Sequence, residues 1–382
     1  MKIAVNTRLL LRGKLEGMGW FSFETLKRLT QNHPEHQFIF IFDRPYAQEF
    51  IFSDNITPVV AGPPARHPFL FYIWFDFQIP RLLKKYQADL FLSPDGYLSL
   101  RTDIPQLAVI HDISFIHRPD DLPWLKRRYY NWFFPRFARK AKRIATVSNY
   151  SKEDIVRSFQ IEPKKIDVVY DGYNTNFKPI SPDLQQKVRE KYSGGLPYFL
   201  FVGALHPRKN IAGLMKAFDV FKSNENHPVK LLIVGGEMHR TSDIFETWGK
   251  MRFKDEVVFT GRVSTKELIH IFGAALALAY VPFFEGFGIP IAEAMSAGIP
   301  VICSNTTSMP EVGGDAVLYA DPYDVEDITS ALQEMSQNPR LRNELIEKGF
   351  EQKKKFSWDN TARLLWSSIE TIFLTDSSHL NP

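Results

Sequence analysis

Short apolar runs of strand length recur along the chain. In the first half they are Ile3-Ala4-Val5, Phe38-Ile39-Phe40-Ile41-Phe42, Leu90-Phe91-Leu92, Leu107-Ala108-Val109-Ile110 and Ile144-Ala145-Thr146-Val147. Several are continuous rather than alternating, the pattern of parallel strands covered on both faces. Helical patterns at 21–29 and 124–142 lie between them. Such alternation predicts an α/β fold with a doubly wound parallel sheet.

The alternation then pauses. Tyr170-Asp171-Gly172-Tyr173-Asn174 has turn composition, and the stretch to Gly194-Gly195-Leu196-Pro197 is polar and contains Pro179 and Pro182. A second series of strand-like runs follows at 198–202, 230–234, 257–260, 275–281, 300–303 and 317–320. The expected linker lies near Gly172, giving one domain over 1–172 and another over 173–357. A last helical pattern covers about 358–374, with Ser357 or Asp359 as its cap, and the polar tail after Thr375 is expected to fray.

Length supports this division, because 382 residues suit two domains of roughly 100–200 residues each. With 44% hydrophobic and 24% charged residues, both halves can bury a core. A formal net charge of +4 is too small to imply a nucleic-acid partner. Cys303 is alone, so no intrachain disulfide forms and a reducing compartment is expected. The apolar start Ile3-Ala4-Val5 is too short for a signal peptide. The longest uncharged apolar run, 271–284, falls short of the roughly 20 residues of a membrane span. The expectation is a cytoplasmic protein.

Ligands of open α/β sheets sit beyond the carboxyl ends of the strands, so chemistry is sought there. One such segment is Phe284-Glu285-Gly286-Phe287-Gly288-Ile289-Pro290, continuing to Glu293. Gly286 and Gly288 allow close backbone approach, and Pro290 suits a first helical turn. The helix amides favour an anionic or hydroxyl-rich ligand, and Glu285 and Glu293 can accept hydrogen bonds from sugar hydroxyls. A second segment is Phe201-Val202-Gly203-Ala204-Leu205-His206-Pro207-Arg208-Lys209. Arg208 can grip phosphate oxygens in a fork, and Lys209 adds a point charge. Taken singly, these residues also fit a solvated loop and a basic helix start.

Together the two segments resemble the family 4 retaining glycosyltransferases of GT-B architecture, and the Ile110-His111-Asp112 string and overall style are similar to the bacterial mannosyltransferases of polysaccharide assembly. The matching features are Gly203, the Arg208-Lys209 pair and the Glu285-x7-Glu293 motif. The resemblance implies two Rossmann-like domains facing across a cleft, with the last helix packed back on the first. It implies donor diphosphate on Arg208 and Lys209, and ribose on Glu293. The transferred sugar would lie on Glu285 near Gly286, Phe287 and Gly288. Gly17 and Gly19 match the family's glycine loop near the donor phosphate, although Trp20-Phe21 replaces its frequent Arg-Tyr. His111 matches a histidine that touches the transferred sugar. Its residue-level alternatives are a core histidine, or a metal site with Asp112 and His117 that lacks a third ligand. Glu311 and Asp315 fall in a segment the family uses around the nucleotide.

The implied activity is retaining transfer of a hexose, mannose first, from a GDP- or UDP-linked donor. The acceptor is a hydroxyl of a glycan or lipid-linked acceptor in cell-surface polysaccharide synthesis. No cofactor or metal is expected, since Arg208 and Lys209 supply the positive charge. Rival readings are a catalytically silent nucleotide-sugar-binding scaffold and a relative such as a nucleotide-sugar epimerase.

Two further expectations concern local structure. From 122 to 152 there is no Asp or Glu, but there are nine Lys or Arg residues with many aromatics. This stretch suits either an anionic membrane surface at the inner face of the membrane or an ordinary helix packed on the sheet. Pro135 should kink or split that helix, and Ser151 is read as a helix cap.

Overall fold

In the computed structural model the run Ile3-Ala4-Val5 lies in the interior of a parallel sheet. The structure describes residues 1–224, 228–238 and 241–377. The chain divides into two units, Met1–Gly172 with Ser357–Pro382, and Tyr173–Phe356.

The first unit's strands are β1 (Lys2–Asn6), β2 (Gln37–Phe42), β3 (Ile56–Val60), β4 (Leu90–Ser93), β5 (Gln106–Val109), β6 (Arg143–Thr146) and β7 (Ile166–Val168). Among the described residues they form one sheet in the order β3-β2-β1-β4-β5-β6-β7, and the pairings are parallel. Helix α1 (Gly17–Asn32) buries Phe21, Leu26 and Leu29, each contributing roughly 1.5–3 kcal/mol. Helix α2 (Trp124–Lys140) runs on through Pro135, so the expected split does not occur. Its Tyr129, Phe134 and Phe137 enter the core. Helix α3 (Asn149–Phe159) is capped by Ser148, whose Oγ accepts from the Ser151 amide at 3.0 Å. The cap is thus three residues before the one expected, because Ser148 is the extended residue and Ser151 is already helical.

The second unit repeats the plan. Its strands are β8 (Tyr198–Val202), β9 (Lys230–Val234), β10 (Val257–Gly261), β11 (Ala277–Tyr280), β12 (Val301–Ser304) and β13 (Leu318–Ala320). They form a parallel sheet in the order β10-β9-β8-β11-β12-β13. Cys303 is buried in β12. Helix α4 (Ile211–Asn224) follows β8, and helix α5 (Ile289–Ala297) follows β11. In both sheets the order reverses where strand one meets strand four, β1 against β4 and β8 against β11. Strand connections diverge at that point and leave a crevice at the carboxyl ends.

The last helix, α6 (Trp358–Ser377), belongs to the first unit and packs on α1. Ser357 caps it, accepting from the Asn360 amide at 3.2 Å. Trp366 stacks on His33 with ring centroids 3.5 Å apart, and Arg28 Nε donates to Asp359 at 2.6 Å. A side chain on Gly172 would sit 2.3 Å from the Trp358 backbone nitrogen, so only glycine allows the chain this approach. The helix outlasts the expected fraying point at Thr375, and residues 378–382 lie outside those described. No helix among the described residues is long and apolar enough to cross a membrane.

Candidate functional site

Arg208 and Lys209 lie just after β8, in a turn of 3-10 helix formed by Pro207–Lys209. That turn ends at Asn210, held in the left-handed region at φ 56. The Asn210 side-chain amide donates to the Val281 and Pro322 carbonyls at 3.1 and 2.7 Å. The turn is thereby tied to the end of β11. A backbone bond from Phe283 to the Arg208 carbonyl at 2.9 Å adds a second tie. The two predicted segments therefore meet at the reversal point of the second sheet.

Their side chains converge on one carboxylate. Glu285 is 7% exposed. Arg208 Nη1 contacts Glu285 Oε1 at 2.5 Å, and Lys209 Nζ forms an ion pair with the same oxygen. Arg208 Nη1 also donates to the Phe284 carbonyl at 3.1 Å. Burial alone would push the Glu285 carboxyl up, but the charges of Arg208 and Lys209 hold it below the usual carboxylate value. The group as a whole keeps one net positive charge.

Tyr280 completes this cluster, and sequence reasoning missed it. Its hydroxyl accepts from Lys209 Nζ at 2.6 Å and bonds Glu285. Burial raises the Tyr280 hydroxyl well above its ordinary value, so it stays protonated. Two other braces were also missed. Asn210 is one, and Ser308 is the other, donating to the carbonyls of Glu285 and Phe287 at 2.9 and 3.2 Å. Only the lone hydroxyl of Tyr280 on an otherwise apolar strand was a visible signal.

The remaining residues of the 284–293 segment are arranged around this group. Gly286 and Phe287 are buried, and the Phe287 ring packs edge-on against Phe356 at 5.2 Å. Gly288 adopts φ 101 to turn the loop into α5, a conformation closed to most side chains. Pro290 occupies the first turn of that helix. Glu293 lies one turn further, half-buried, with its carboxyl pushed up to about 8 by burial. Gly203 follows β8 at φ 151, and a side chain there would meet the Lys209 side chain at 3.8 Å. Glu311 lies in the short helix Met309–Gly313, and Asp315 is exposed beyond it. Nearby Thr307 holds φ 57, a strained value for a β-branched residue.

The first unit holds the other predicted residues. Gly17 and Gly19 are in the first turn of α1 rather than in a free loop. Gly19 is buried, and a side chain there would meet the Leu9 carbonyl at 3.3 Å; at Gly17 it would meet nothing. His111 is half-buried, bonds the Pro94 carbonyl through Nε2 at 2.8 Å and meets Phe21 edge-on at 4.8 Å. Burial lowers its pKa, which keeps the imidazole neutral at neutral pH. His117 bonds both oxygens of Asp154 at 2.8 Å, and Asp112 accepts the Ser114 amide at 2.9 Å.

A family model for glycosyltransferase family 4 matches residues 16–177, and one for group 1 glycosyl transferases matches residues 184–352. The O-antigen chain mannosyltransferase B of Escherichia coli is 33% identical over 279 residues, 73% of either chain. The chain belongs to the family 4 glycosyltransferases. The O-antigen chain mannosyltransferase RfbU of Salmonella typhimurium is a further relative of this glycosyltransferase. It is 32% identical over 61% of this chain and 62% of its own. Among solved structures, Anabaena HepE in complex with UDP-glucose superposes with a TM-score of 0.75. It shares 15% identity over 97% of this chain and all of its own. That likeness places the glycosyltransferase in the GT-B fold class, two parallel-stranded α/β units.

Proposed function

We propose that this glycosyltransferase binds a nucleoside diphosphate sugar on its Tyr173–Phe356 unit and transfers a hexose with retained anomeric configuration. Mannose is the first choice of sugar and GDP of carrier, because the sequence relatives are mannosyltransferases. The acceptor is a hydroxyl of a glycan or lipid-linked acceptor in cell-surface polysaccharide synthesis. The observation that carries the reading is the meeting of Arg208, Lys209 and Glu285 at the reversal point of the second sheet.

In this reading a donor diphosphate supplies the negative charge that Glu285 now only partly provides. Its oxygens engage Arg208 and Lys209, which stabilise the charge that develops on the leaving group. Glu293 receives the ribose hydroxyls, and the Glu285 loop with Gly286, Phe287 and Gly288 positions the sugar. The bond from the anomeric carbon to the phosphate oxygen breaks, and a bond to the acceptor oxygen forms on the same face. The acceptor proton passes to the departing phosphate. Two fixed side-chain cations supply the charge here, so activity is expected to survive a chelator.

A melting panel of GDP- and UDP-sugars tests donor binding. A ligand that binds only the folded chain stabilises it by about 2.7 kcal/mol at a hundredfold excess over Kd. GDP-mannose is expected to give the largest rise and to yield an α-linked product by NMR. A β-linked product removes the retaining mechanism. A panel without any shift removes the donor reading, while a shift without turnover leaves the scaffold.

The membrane expectation gains a specific shape from α2. Trp124, Arg128, Trp132 and Arg136 follow one another at a spacing of one helical turn. Trp124 and Trp132 are 66% and 60% exposed, and Arg128 and Arg136 lie over their rings at 5.1 and 3.6 Å. Exposed indoles backed by guanidinium groups suit the headgroup zone of an anionic bilayer. The chain should sediment with vesicles containing phosphatidylglycerol and stay behind with pure phosphatidylcholine. W124A/W132A should weaken that binding about tenfold. Equal binding by the double variant removes this surface from the reading.

A further inference from the structure

The first unit contains a cavity of about 710 Å³ that none of the predicted residues line. It opens at the carboxyl end of the sheet, and three neighbouring strands each deliver an arginine to it. Arg8 follows β1, Arg44 follows β2 and Arg66 follows β3. The loop after β1 adds Arg12 and Lys14. Among the described residues no acidic side chain lines the cavity.

Two of the five cations are fixed from behind. Arg8 Nε donates to the buried Asp95 at 2.6 Å, and its guanidinium lies 4.3 Å from the centre of the Tyr97 ring. Arg44 Nε and Nη2 engage both oxygens of Asp43 at 2.5 and 2.6 Å. Asp43 is fully enclosed and also accepts the Ala65 amide at 2.8 Å. Each pair thus balances its charge while locking one guanidinium at the cavity. Arg12, Lys14 and Arg66 are exposed and have no ion-pair partner among the described residues. The cavity therefore carries a surplus of three positive charges on a partly rigid frame. Tyr46 and Phe71 supply aromatic wall.

We infer that this cavity binds a phosphate or diphosphate ester. A preset pair of guanidinium groups with three exposed cations matches an anion of two to three charges. The aromatic and aliphatic wall matches the carbon skeleton the phosphate is attached to. On the reading that the chain is a glycosyltransferase, the ligand is an acceptor that carries phosphate. That acceptor is either a soluble sugar phosphate or a glycan on a lipid diphosphate.

The test uses the full chain and the variant R12S/K14S/R66S, which replaces exposed side chains that make no hydrogen bond or ion pair among the described residues. Inorganic pyrophosphate is titrated by calorimetry into each protein. The wild type is expected to bind at two sites, this cavity and the Arg208-Lys209 site. The variant should lose one of them, or bind there at least tenfold more weakly, while its melting rise with GDP- or UDP-sugar stays that of wild type. Equal pyrophosphate stoichiometry and affinity in the two proteins overturns the inference, as does absence of binding by the wild type. Failure of every nucleotide sugar to bind, with pyrophosphate binding still lost in the variant, would count against the donor reading alone. Glucose 1-phosphate and phosphatidylcholine vesicles doped with a polyprenyl diphosphate separate the two sources. Variant-sensitive binding of the first identifies a soluble acceptor, and of the second a lipid-linked one.

Discussion

Lys209→Ala is expected to lower kcat/KM for sugar transfer by about 10²–10³, with most of the loss in kcat. The ammonium of Lys209 is 12% exposed and shares Glu285 Oε1 with Arg208. In this enclosed setting its charge is worth more to a departing diphosphate than it would be in water. Arg208 still pairs with Glu285 after the substitution, so no buried carboxylate is left without a cation. The variant should therefore remain folded, and its melting temperature, measured beside the kinetics, separates lost catalysis from lost structure. A variant that is folded and transfers sugar within about threefold of wild type would remove Lys209 from the mechanism.

Glu293→Gln should produce the largest change in stability, with a sign that depends on pH. Burial raises the Glu293 carboxyl from 4.5 to about 8. Below pH 4.5 the group is protonated in folded and unfolded chain alike, and its burial carries no ionisation penalty. Between 4.5 and 8 the unfolded chain ionises while the folded one does not. Stability then falls as pH rises, by about 1.4 kcal/mol per unit. Over the whole interval the loss approaches ~5 kcal/mol. Glutamine fills the same space and does not ionise. The melting curves of wild type and Glu293→Gln should nearly coincide at pH 4.5 and separate by several degrees at pH 8, the variant higher. Parallel curves across this range would show that Glu293 is ionised in the folded protein. Loss of nucleotide-dependent stabilisation in the same variant at pH 7 would tie Glu293 to the ribose.

The two sheets were legible because most of their strands are continuous apolar runs. β3 escaped notice because Pro58 interrupts Ile56-Thr57-Pro58-Val59-Val60, and proline suits only an edge strand, which β3 is. β7 is three residues long and also lies at an edge. Neither has a length or alternation that separates it from loop. In the site, Arg208, Lys209, Glu285 and Glu293 were legible as two short motifs. Tyr280, Asn210 and Ser308 were not, because each acts across the fold. Asn210 reaches carbonyls of residues 281 and 322, and Ser308 braces a loop about twenty residues earlier in the chain. A linear pattern records neighbours along the chain, and these contacts exist only after the sheet has formed. The same limit hid the basic cavity, whose arginines look isolated until three strands stand side by side.

The return of α6 to the first unit governs how this chain can be made. Synthesis delivers Met1–Gly172 first, but Arg28 on α1 and the adjoining His33, which receive Asp359 and Trp366, are covered only once α6 has left the ribosome. At about 5–20 residues per second the earlier half waits roughly ten to forty seconds with that face bare. During this interval the nascent chain presents an apolar surface that chaperones can hold and neighbouring chains can trap. The second unit, contiguous in sequence, needs no such delay and can close as soon as Phe356 has emerged.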